Sequence, residues 1–193
     1  YLQSLRKTKK ELGAFLIKRG LWLVFAELFI ISLAWTFNPM YNVLPFQVIW
    51  AIGFSMICLS GLVFLPPRII LVIGLLLVAG HNLLDGITMR GYSVPEIIWY
   101  LLHQSNLLVI RPDSVVFIVY PVLPWIGVMA LGYVFGQLYA PGFDASRRKA
   151  LLWKMGLAAI ALFVLLRTFN IYGEPRPWGP QKDFVFSMLS FLN

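Results

Sequence analysis

The sequence predicts an all-α protein, a polytopic transmembrane helix bundle with five full spans, the start of a sixth and a cytoplasmic N-terminus. Three observations support this prediction. Of the 193 residues, 60% are hydrophobic and 12% are charged, and the mean hydropathy is +0.79. Soluble proteins carry about 25% charged residues, so this chain has too few to cover a water-soluble globule. The apolar residues also gather into long runs separated by short polar turns.

The apolar runs mark the predicted spans in chain order. A helix needs about 20 residues to cross the hydrocarbon core of a bilayer. The runs cover residues 21–37, 48–64, 69–84, 115–138 and 151–166, and residues 184–192 would begin a sixth span. Turn and helix-breaking residues separate them, at Asn38-Pro39, Pro66-Pro67, Asp85-Gly86, Pro141-Gly142 and Gly173-Glu174-Pro175.

The basic residues orient the predicted bundle. With a cytoplasmic N-terminus, eleven of the 16 Lys and Arg residues fall inside and the other five outside, in line with the positive-inside rule. Residues 1–20 then form a basic helix at the cytoplasmic surface. The net charge of +8 is explained by contact with the lipid bilayer and its anionic headgroups, so we expect no nucleic-acid partner.

The longest connection, residues 85–114, falls on the outer side in this topology. Its apolar segment 96–103 contains Trp99 and Tyr100, residue types that favour a membrane interface, so we expect a short interfacial helix there. No repeat or linker divides the chain, and we expect one transmembrane domain over residues 1–193. The first residue is Tyr1 and the last apolar run is too short to span, so we expect both ends to be cuts within a longer polypeptide.

Polar groups inside the predicted spans are candidates for function, because a bilayer makes them costly. Glu27 lies in the middle of the first predicted span, where a lone carboxylate costs about 2.5–3.5 kcal/mol. We expect it to be protonated or paired with another helix. It would serve either as structural support or as a substrate-binding carboxylate.

A second group of candidates, His81, Asn82 and Asp85, ends the third predicted span. Residues four apart lie on one helix face, so Asp85 can hold the His81 imidazole in one tautomer and raise its basicity. This arrangement makes His81 and Asp85 the catalytic candidates and Asn82 a substrate-binding candidate. The same residues also fit a C-terminal helix cap before Gly86, and both interpretations remain open.

His103 follows the predicted interfacial helix, and Trp125 opens the fourth predicted span between prolines. His103 would contact either substrate or solvent on the outer side, and Trp125 would contact substrate or pack within the bundle. With two histidines and the single cysteine Cys58, we expect no metal site. The sequence contains no P-loop, GxSxG, HExxH or CxxC motif.

Longer segments carry a family resemblance. They are residues 15–23 (FLIKRGLWL) with Glu27-Leu28, 35–38 (WTFN), 47–53 (QVIWAIG), 80–85 (GHNLLD), Tyr120-Pro121, 124–129 (PWIGVM) and 190–193 (SFLN). In this order they resemble the bacterial branch of the heparan-α-glucosaminide N-acetyltransferase catalytic-domain family, whose bacterial members are mostly of unknown function. The resemblance runs nearly from end to end.

The resemblance implies a transmembrane acyltransferase of the bacterial cytoplasmic (inner) membrane. Such an enzyme moves an acetyl or acyl group from cytosolic acyl-CoA, with acetyl-CoA as the donor that the resemblance implies, to an amine or hydroxyl of an envelope glycan or glycolipid, without a metal. The family's proposed catalytic histidine belongs to a helix that would precede Tyr1, so the resemblance assigns that role to neither His81 nor His103. The alternative is a non-catalytic helical scaffold subunit of a larger membrane complex. A homo-oligomer fits either case.

Overall fold

A computed structural model describes residues 2–169 and 178–192. The α-helices are α1 (Lys9–Phe25), α2 (Ser32–Thr36), α3 (Val48–Leu62), α4 (Pro67–Gly80), α5 (Val94–Leu102), α6 (Leu123–Phe135), α7 (Ala145–Phe169) and α8 (Phe184–Leu192). The strands are β1 (Val43–Phe46), β2 (Asn106–Arg111) and β3 (Ser114–Ile118). A π-helical segment, Ala26–Ile31, joins α1 to α2, and a 3-10 segment, His81–Leu84, extends α4. The chain forms two compact units, Tyr1–Gln137 and Leu138–Asn193.

Helix α1 begins at a capping box. The Thr8 hydroxyl accepts a hydrogen bond from the Glu11 backbone N–H at 3.3 Å, and the Glu11 carboxylate accepts one from the Thr8 N–H at 2.8 Å. Two of the amides that a helix start leaves unpaired are thereby satisfied. From this start α1 runs along α3, and the Leu12 and Leu16 side chains are buried against it. Of the predicted basic helix over residues 1–20, residues 9–20 belong to the packed helix α1, whereas Leu2–Leu5 form a separate 3-10 turn. The position of this segment relative to a membrane stays a prediction.

The helices of the first unit meet at two pairs of glycines. A Cβ atom on Gly53 of α3 would lie 2.8 Å from the carbonyl oxygen of Gly20 in α1. A Cβ atom on Gly127 of α6 would lie 3.0 Å from the carbonyl oxygen of Gly74 in α4. Small residues at such points let helix backbones approach closely, as they do between membrane helices. Since α3 also packs on α6, the packing order is α1, α3, α6, α4.

A three-stranded sheet joins segments that are far apart in the sequence. Strand β3 is central: it runs parallel to β1, with Val116 opposite Leu44, and antiparallel to β2, with Val116 opposite Leu108. Leu108 and Ile118 are buried with Tyr100 of α5 in one cluster. The sheet therefore fixes α5, and with it the residues that follow α5.

The second unit contains α7 and α8. Arg167 of α7 donates hydrogen bonds to the carbonyl oxygens of Phe191 and Ser190 in α8, at 2.9 and 2.8 Å. The rings of Phe163 and Phe191 also meet edge to face, with centroids 6.0 Å apart. These contacts satisfy carbonyl groups at the end of α8, which an α-helix leaves without internal partners.

The predicted fold class is wrong in two respects. The chain is not all-α, because it contains the three-stranded sheet. It is also not a bundle of five full spans. In the part of the chain that the structure describes, two helices are long and apolar enough to span a membrane, Pro67–Leu84 and Ala145–Phe169. The predicted orientation was derived from five crossings, so the cytoplasmic N-terminus loses that support and stays untested.

The individual windows show why the span count fails. The window 21–37 contains the end of α1, the π-helical segment and α2, and the window 115–138 begins as strand β3. Helices α3 and α6, with 15 and 13 residues, are about 20–23 Å long, whereas the hydrocarbon core is about 30 Å thick. The windows 69–84 and 151–166 coincide with the two long helices. Tyr1, Gly173-Glu174-Pro175, Arg176 and Asn193 lie outside the described residues.

Helix α5 lies within the connection 85–114, over the segment where a short helix is predicted. Its location at a membrane interface stays a prediction, as does the interpretation of residues 1–193 as a single transmembrane domain.

Candidate functional site

The candidate site is centred on Asp85, which follows the 3-10 segment at the end of α4. Both of its carboxylate oxygens are held: Asn82 Nδ2–H donates to Oδ2 at 3.1 Å, and His103 Nε2 lies 3.1 Å from Oδ1. An ionised carboxylate only accepts hydrogen bonds, so His103 Nε2 is the donor in this pair. The Asp85 side chain is 55% exposed. A ligand can therefore reach a carboxylate whose direction is fixed by two neighbours.

His103 supports Asp85 from the buried side. It caps the C-terminal end of α5, where its backbone N–H donates to the Trp99 carbonyl oxygen at 2.8 Å. Its side chain is only 6% exposed, and its ring packs against that of Trp99 with centroids 5.0 Å apart. Nδ1 is buried without a hydrogen-bond partner among the described residues. His103 is thus held between Asp85 and Trp99.

His81 lies beside this pair and presents a different nitrogen. Its Nδ1 lies 2.9 Å from the Val78 carbonyl oxygen, and a carbonyl can only accept, so Nδ1 carries the proton. In the neutral ring Nε2 is then the acceptor. The rings of His81 and His103 meet edge to face with centroids 6.5 Å apart. His81 is half-buried, and in this tautomer its Nε2 can accept a hydrogen bond.

The start of α5 is fixed by a second capping box. Glu96 accepts hydrogen bonds from the backbone N–H of Ser93, at 2.7 Å, and from the Ser93 hydroxyl. These bonds hold the pKa of the Glu96 carboxyl below its ordinary value. Pro95 lies in the first turn of this helix, a position where the missing N–H costs nothing.

The other face of α5 is tied to the loop that precedes it. The Gln104 side chain accepts a hydrogen bond from the Met89 N–H at 2.9 Å and donates one to the Met89 carbonyl oxygen at 3.1 Å. The buried Tyr100 donates its hydroxyl hydrogen to the carbonyl oxygens of this loop, with Gly91 O at 3.1 Å. Trp99 Nε1–H donates to Ile87 O at 3.1 Å on the His103 side. Helix α5 is therefore bound to residues 87–91 on two faces.

Glu27 and Trp125 occupy other parts of the first unit. Glu27 is fully buried in the π-helical segment, and its Oε2 accepts a hydrogen bond from the Trp50 N–H, 3.1 Å away, in the first turn of α3. It is thus paired with another helix, as one of the two sequence interpretations expects. Trp125 meets Tyr120 edge to face, with centroids 5.6 Å apart, and borders an apolar groove of about 510 Å³ formed by residues of α1, α3 and α6.

The structure therefore brings His81, Asn82, Asp85 and His103 together. Their roles as catalytic or substrate-binding residues stay predictions, as do those of Glu27 and Trp125. Helical spacing predicts that Asp85 contacts His81, whereas its imidazole contact is with His103. Within residues 2–169 and 178–192, no group of three or more His, Cys, Asp or Glu side chains is arranged to hold a metal ion.

Sequence reasoning overlooked Trp99 as the packing partner of His103 and Gln104 as the side chain that holds the Met89 backbone. The available signal was helical spacing. Trp99 and Tyr100 lie in the last turns of α5, and His103 and Gln104 follow four residues after each of them, just beyond its end at Leu102, so the spacing places each later residue near the helix face of its partner.

Comparison with known proteins adds one match. The model of the family described as "Heparan-alpha-glucosaminide N-acetyltransferase, catalytic" matches residues 1–172. The match includes all of the candidate site. No curated protein matches the chain. No solved structure matches it.

Proposed function

Because the chain belongs to the heparan-alpha-glucosaminide N-acetyltransferase catalytic-domain family, we propose that it is a bacterial membrane acyltransferase. Its donor is acetyl-CoA, and its acceptor is an amine or hydroxyl of an envelope glycan or glycolipid. We place it in the cytoplasmic (inner) membrane, which it crosses more than once, with Pro67–Leu84 and Ala145–Phe169 as two of the crossings. Their exposed apolar surface supports this location, since under 12% of either span is buried within the chain.

The observation that carries the proposal is the exposed Asp85 carboxylate, held by Asn82 and His103. A carboxylate in a fixed direction binds an ammonium or hydroxyl group through a charge-assisted hydrogen bond. It can therefore bind and orient the acceptor. His103 and Asn82 are positioning residues, because each acts through the carboxylate.

His81 supplies the base. In the transfer, the acceptor nitrogen or oxygen forms a bond to the thioester carbon, the carbon–sulfur bond breaks, and CoA leaves as its thiolate. An acceptor bound as its ammonium form first releases one proton to water, which frees the nitrogen lone pair. The neutral amine or hydroxyl then loses one proton as the new bond forms, and this proton passes to Nε2 of His81, the ring nitrogen that its Nδ1–Val78 bond leaves as the acceptor. A neutral imidazole is well suited to this step because its ordinary pKa lies near neutral pH.

The test is steady-state transfer from labelled acetyl-CoA to glucosamine by the full-length protein, with folding checked by gel filtration. Asp85→Asn should lower kcat/KM about 10–100-fold, mainly through the KM for the acceptor, because it removes one charge-assisted hydrogen bond. His81→Ala should lower kcat about 100-fold or more, because it removes the base. Asp113→Asn, at an exposed carboxylate next to β3, is the matched control and should leave the rate unchanged.

The role of His103 is tested with two replacements. His103→Gln retains an N–H that can reach Asp85, whereas His103→Phe retains only the ring that packs against Trp99. A positioning role predicts that His103→Gln restores part of the rate lost in His103→Phe, with no change in the pH profile. Wild-type rates in the Asp85 and His81 variants would contradict the proposed site. A folded protein that neither binds acetyl-CoA nor transfers acetyl would instead favour the non-catalytic scaffold.

A further inference from the structure

A groove of about 450 Å³ runs along one face of α7, in the second unit. Its lining residues recur at helical spacing: Ala145, Arg148, Lys149, Leu152, Trp153, Gly156, Leu157 and Ile160. Gly156 places no side chain in the groove, and nothing lies within 4 Å of the position where its Cβ would be. At 1.5 Å per residue, this face extends over about 22 Å of the helix.

One end of the groove is positively charged. Arg148 and Lys149 line this end, and the Arg148 guanidinium is held over the Tyr139 ring, 5.3 Å from its centroid. The nearby Asp144 carries one negative charge against the two positive charges of Arg148 and Lys149, so this end stays net positive; its carboxylate accepts hydrogen bonds from the Ser146 hydroxyl, at 2.6 Å, and from the Arg147 N–H, at 2.7 Å. It is engaged in capping the start of α7, and these bonds hold its pKa below the ordinary value.

The rest of the groove is apolar and open to its surroundings. The exposed fractions of Trp153, Leu157 and Ile160 are 64%, 60% and 63%. These side chains follow the basic end toward the middle of a helix that is long enough to span a membrane. A ligand that matches this surface has an anionic head and a long hydrocarbon chain.

We propose that this face of α7 binds an anionic phospholipid, with the phosphate at Arg148 and Lys149 and an acyl chain along Trp153, Leu157 and Ile160. The inference rests on the membrane crossing by α7 in the proposed function. Acetyl-CoA also carries phosphates, but its arm is polar along its length and its acetyl group is short. It would leave the apolar part of the groove uncovered, so the lipid is the better match.

The helix offers a matched control for charge. Arg147 and Lys154 lie on α7 outside the groove lining. At about 100° per residue they point roughly 150° away from the groove centre. The double variants R148Q/K149Q and R147Q/K154Q therefore lose the same charge on opposite sides of one helix. Gly156→Leu fills the groove without changing the charge.

The experiment measures lipid bound to the purified full-length protein by native mass spectrometry, with dioleoyl phosphatidylglycerol and dioleoyl phosphatidylcholine as probes. The wild type and R147Q/K154Q should retain phosphatidylglycerol in preference to phosphatidylcholine. R148Q/K149Q should bind phosphatidylglycerol roughly 30-fold more weakly, since each basic residue near a headgroup contributes about fivefold. Gly156→Leu should also weaken binding, by displacing the acyl chain.

Equal phosphatidylglycerol binding by the two double variants would overturn the site. Displacement of the lipid by acetyl-CoA, with loss of acetyl-CoA affinity in R148Q/K149Q, would also overturn it and would assign the groove to the donor. Alkaline carbonate extraction separates the inference from its premise. A protein that stays in the membrane pellet but shows no preference for phosphatidylglycerol refutes the lipid site alone, whereas release from the pellet refutes the membrane crossing as well.

Discussion

Replacing Gly53 by alanine tests whether α1 and α3 depend on close backbone contact. The added Cβ would lie 2.8 Å from Gly20 O, 3.0 Å from Leu23 Cβ and 3.0 Å from Val24 N. Two of these three atoms belong to the backbone of α1 and cannot rotate away, so the helices must move apart by several tenths of an ångström. Overpacking of this kind costs about 1–3 kcal/mol. We expect Gly53→Ala to lower the free energy of unfolding by that amount.

The same helix provides the control. Gly61 also lies in α3, but nothing is within 4 Å of its would-be Cβ, and alanine is the better helix former by about 0.5–1 kcal/mol. Gly61→Ala should therefore leave stability unchanged or raise it. The assay is unfolding of purified protein in mild detergent by titration with a denaturing detergent, followed by far-UV circular dichroism. Equal stability of the two variants would refute the close-contact argument.

Two further predictions concern single hydrogen-bonded carboxylates. Glu27→Gln should be tolerated because the amide oxygen can still accept a hydrogen bond from the Trp50 N–H. Glu27→Leu should lower the free energy of unfolding by roughly 1–3 kcal/mol because it leaves that buried donor unpaired. Equal melting temperatures of the two variants would show that the Glu27 side chain makes no stabilising contact. Ser93→Ala should destabilise α5 at neutral pH, and the difference from wild type should shrink as the pH falls below 4.5, the ordinary pKa of Glu96. A carboxylate whose pKa is lowered in the folded state stabilises the fold at pH values above its unfolded-state pKa, and this stabilisation is lost once the group is protonated. Thermal unfolding between pH 3 and 7 measures the difference between variant and wild type. A difference that does not change with pH would contradict the capping argument.

Composition and the length of apolar runs correctly predicted helices α4 and α7, because each of them forms from one continuous stretch of sequence. Helices α4 and α7 lie where long uninterrupted apolar runs occur, and their starts are marked by Pro67 and Asp144. The length of an apolar run did not predict the structure correctly where one run contains both a strand and a helix. Residues 115–118 are apolar in every position, and such a run is equally consistent with a buried strand or a helix.

The sheet was not predictable because its pairing partners are distant. Strand β1 contains Pro45, which removes a backbone donor and is tolerated here in an edge strand. Its partner β3 lies about 70 residues further along the chain, with Val43 opposite Val115. Neither strand is long enough to be recognised alone, and only tertiary packing brings them together.

The candidate site shows the same division between local and distant contacts. The spacing of Asn82 and Asp85 lies within one helical turn, so their proximity follows from the sequence, and the structure joins them by a hydrogen bond. The contact between Asp85 and His103 crosses a loop and a helix. Asp85 and His103 lie on different elements, so no helical or strand spacing predicts their contact. The sequence predicted only that both residues lie on the outer side of the membrane.

The position of α5 decides the geometry of this site. Tyr100 and Gln104 bind the backbone of residues 89–91, and the Val122 N–H donates to Leu101 O at 2.9 Å, which ties the end of α5 to the start of α6. His103 follows this anchored segment directly and has little freedom to move. A buried imidazole fixed on a rigid element holds an exposed carboxylate more accurately than a solvent-exposed partner would. The sheet, the loop and α5 together therefore fix the direction of the Asp85 carboxylate, so the geometry of the proposed site depends on residues that lie outside it.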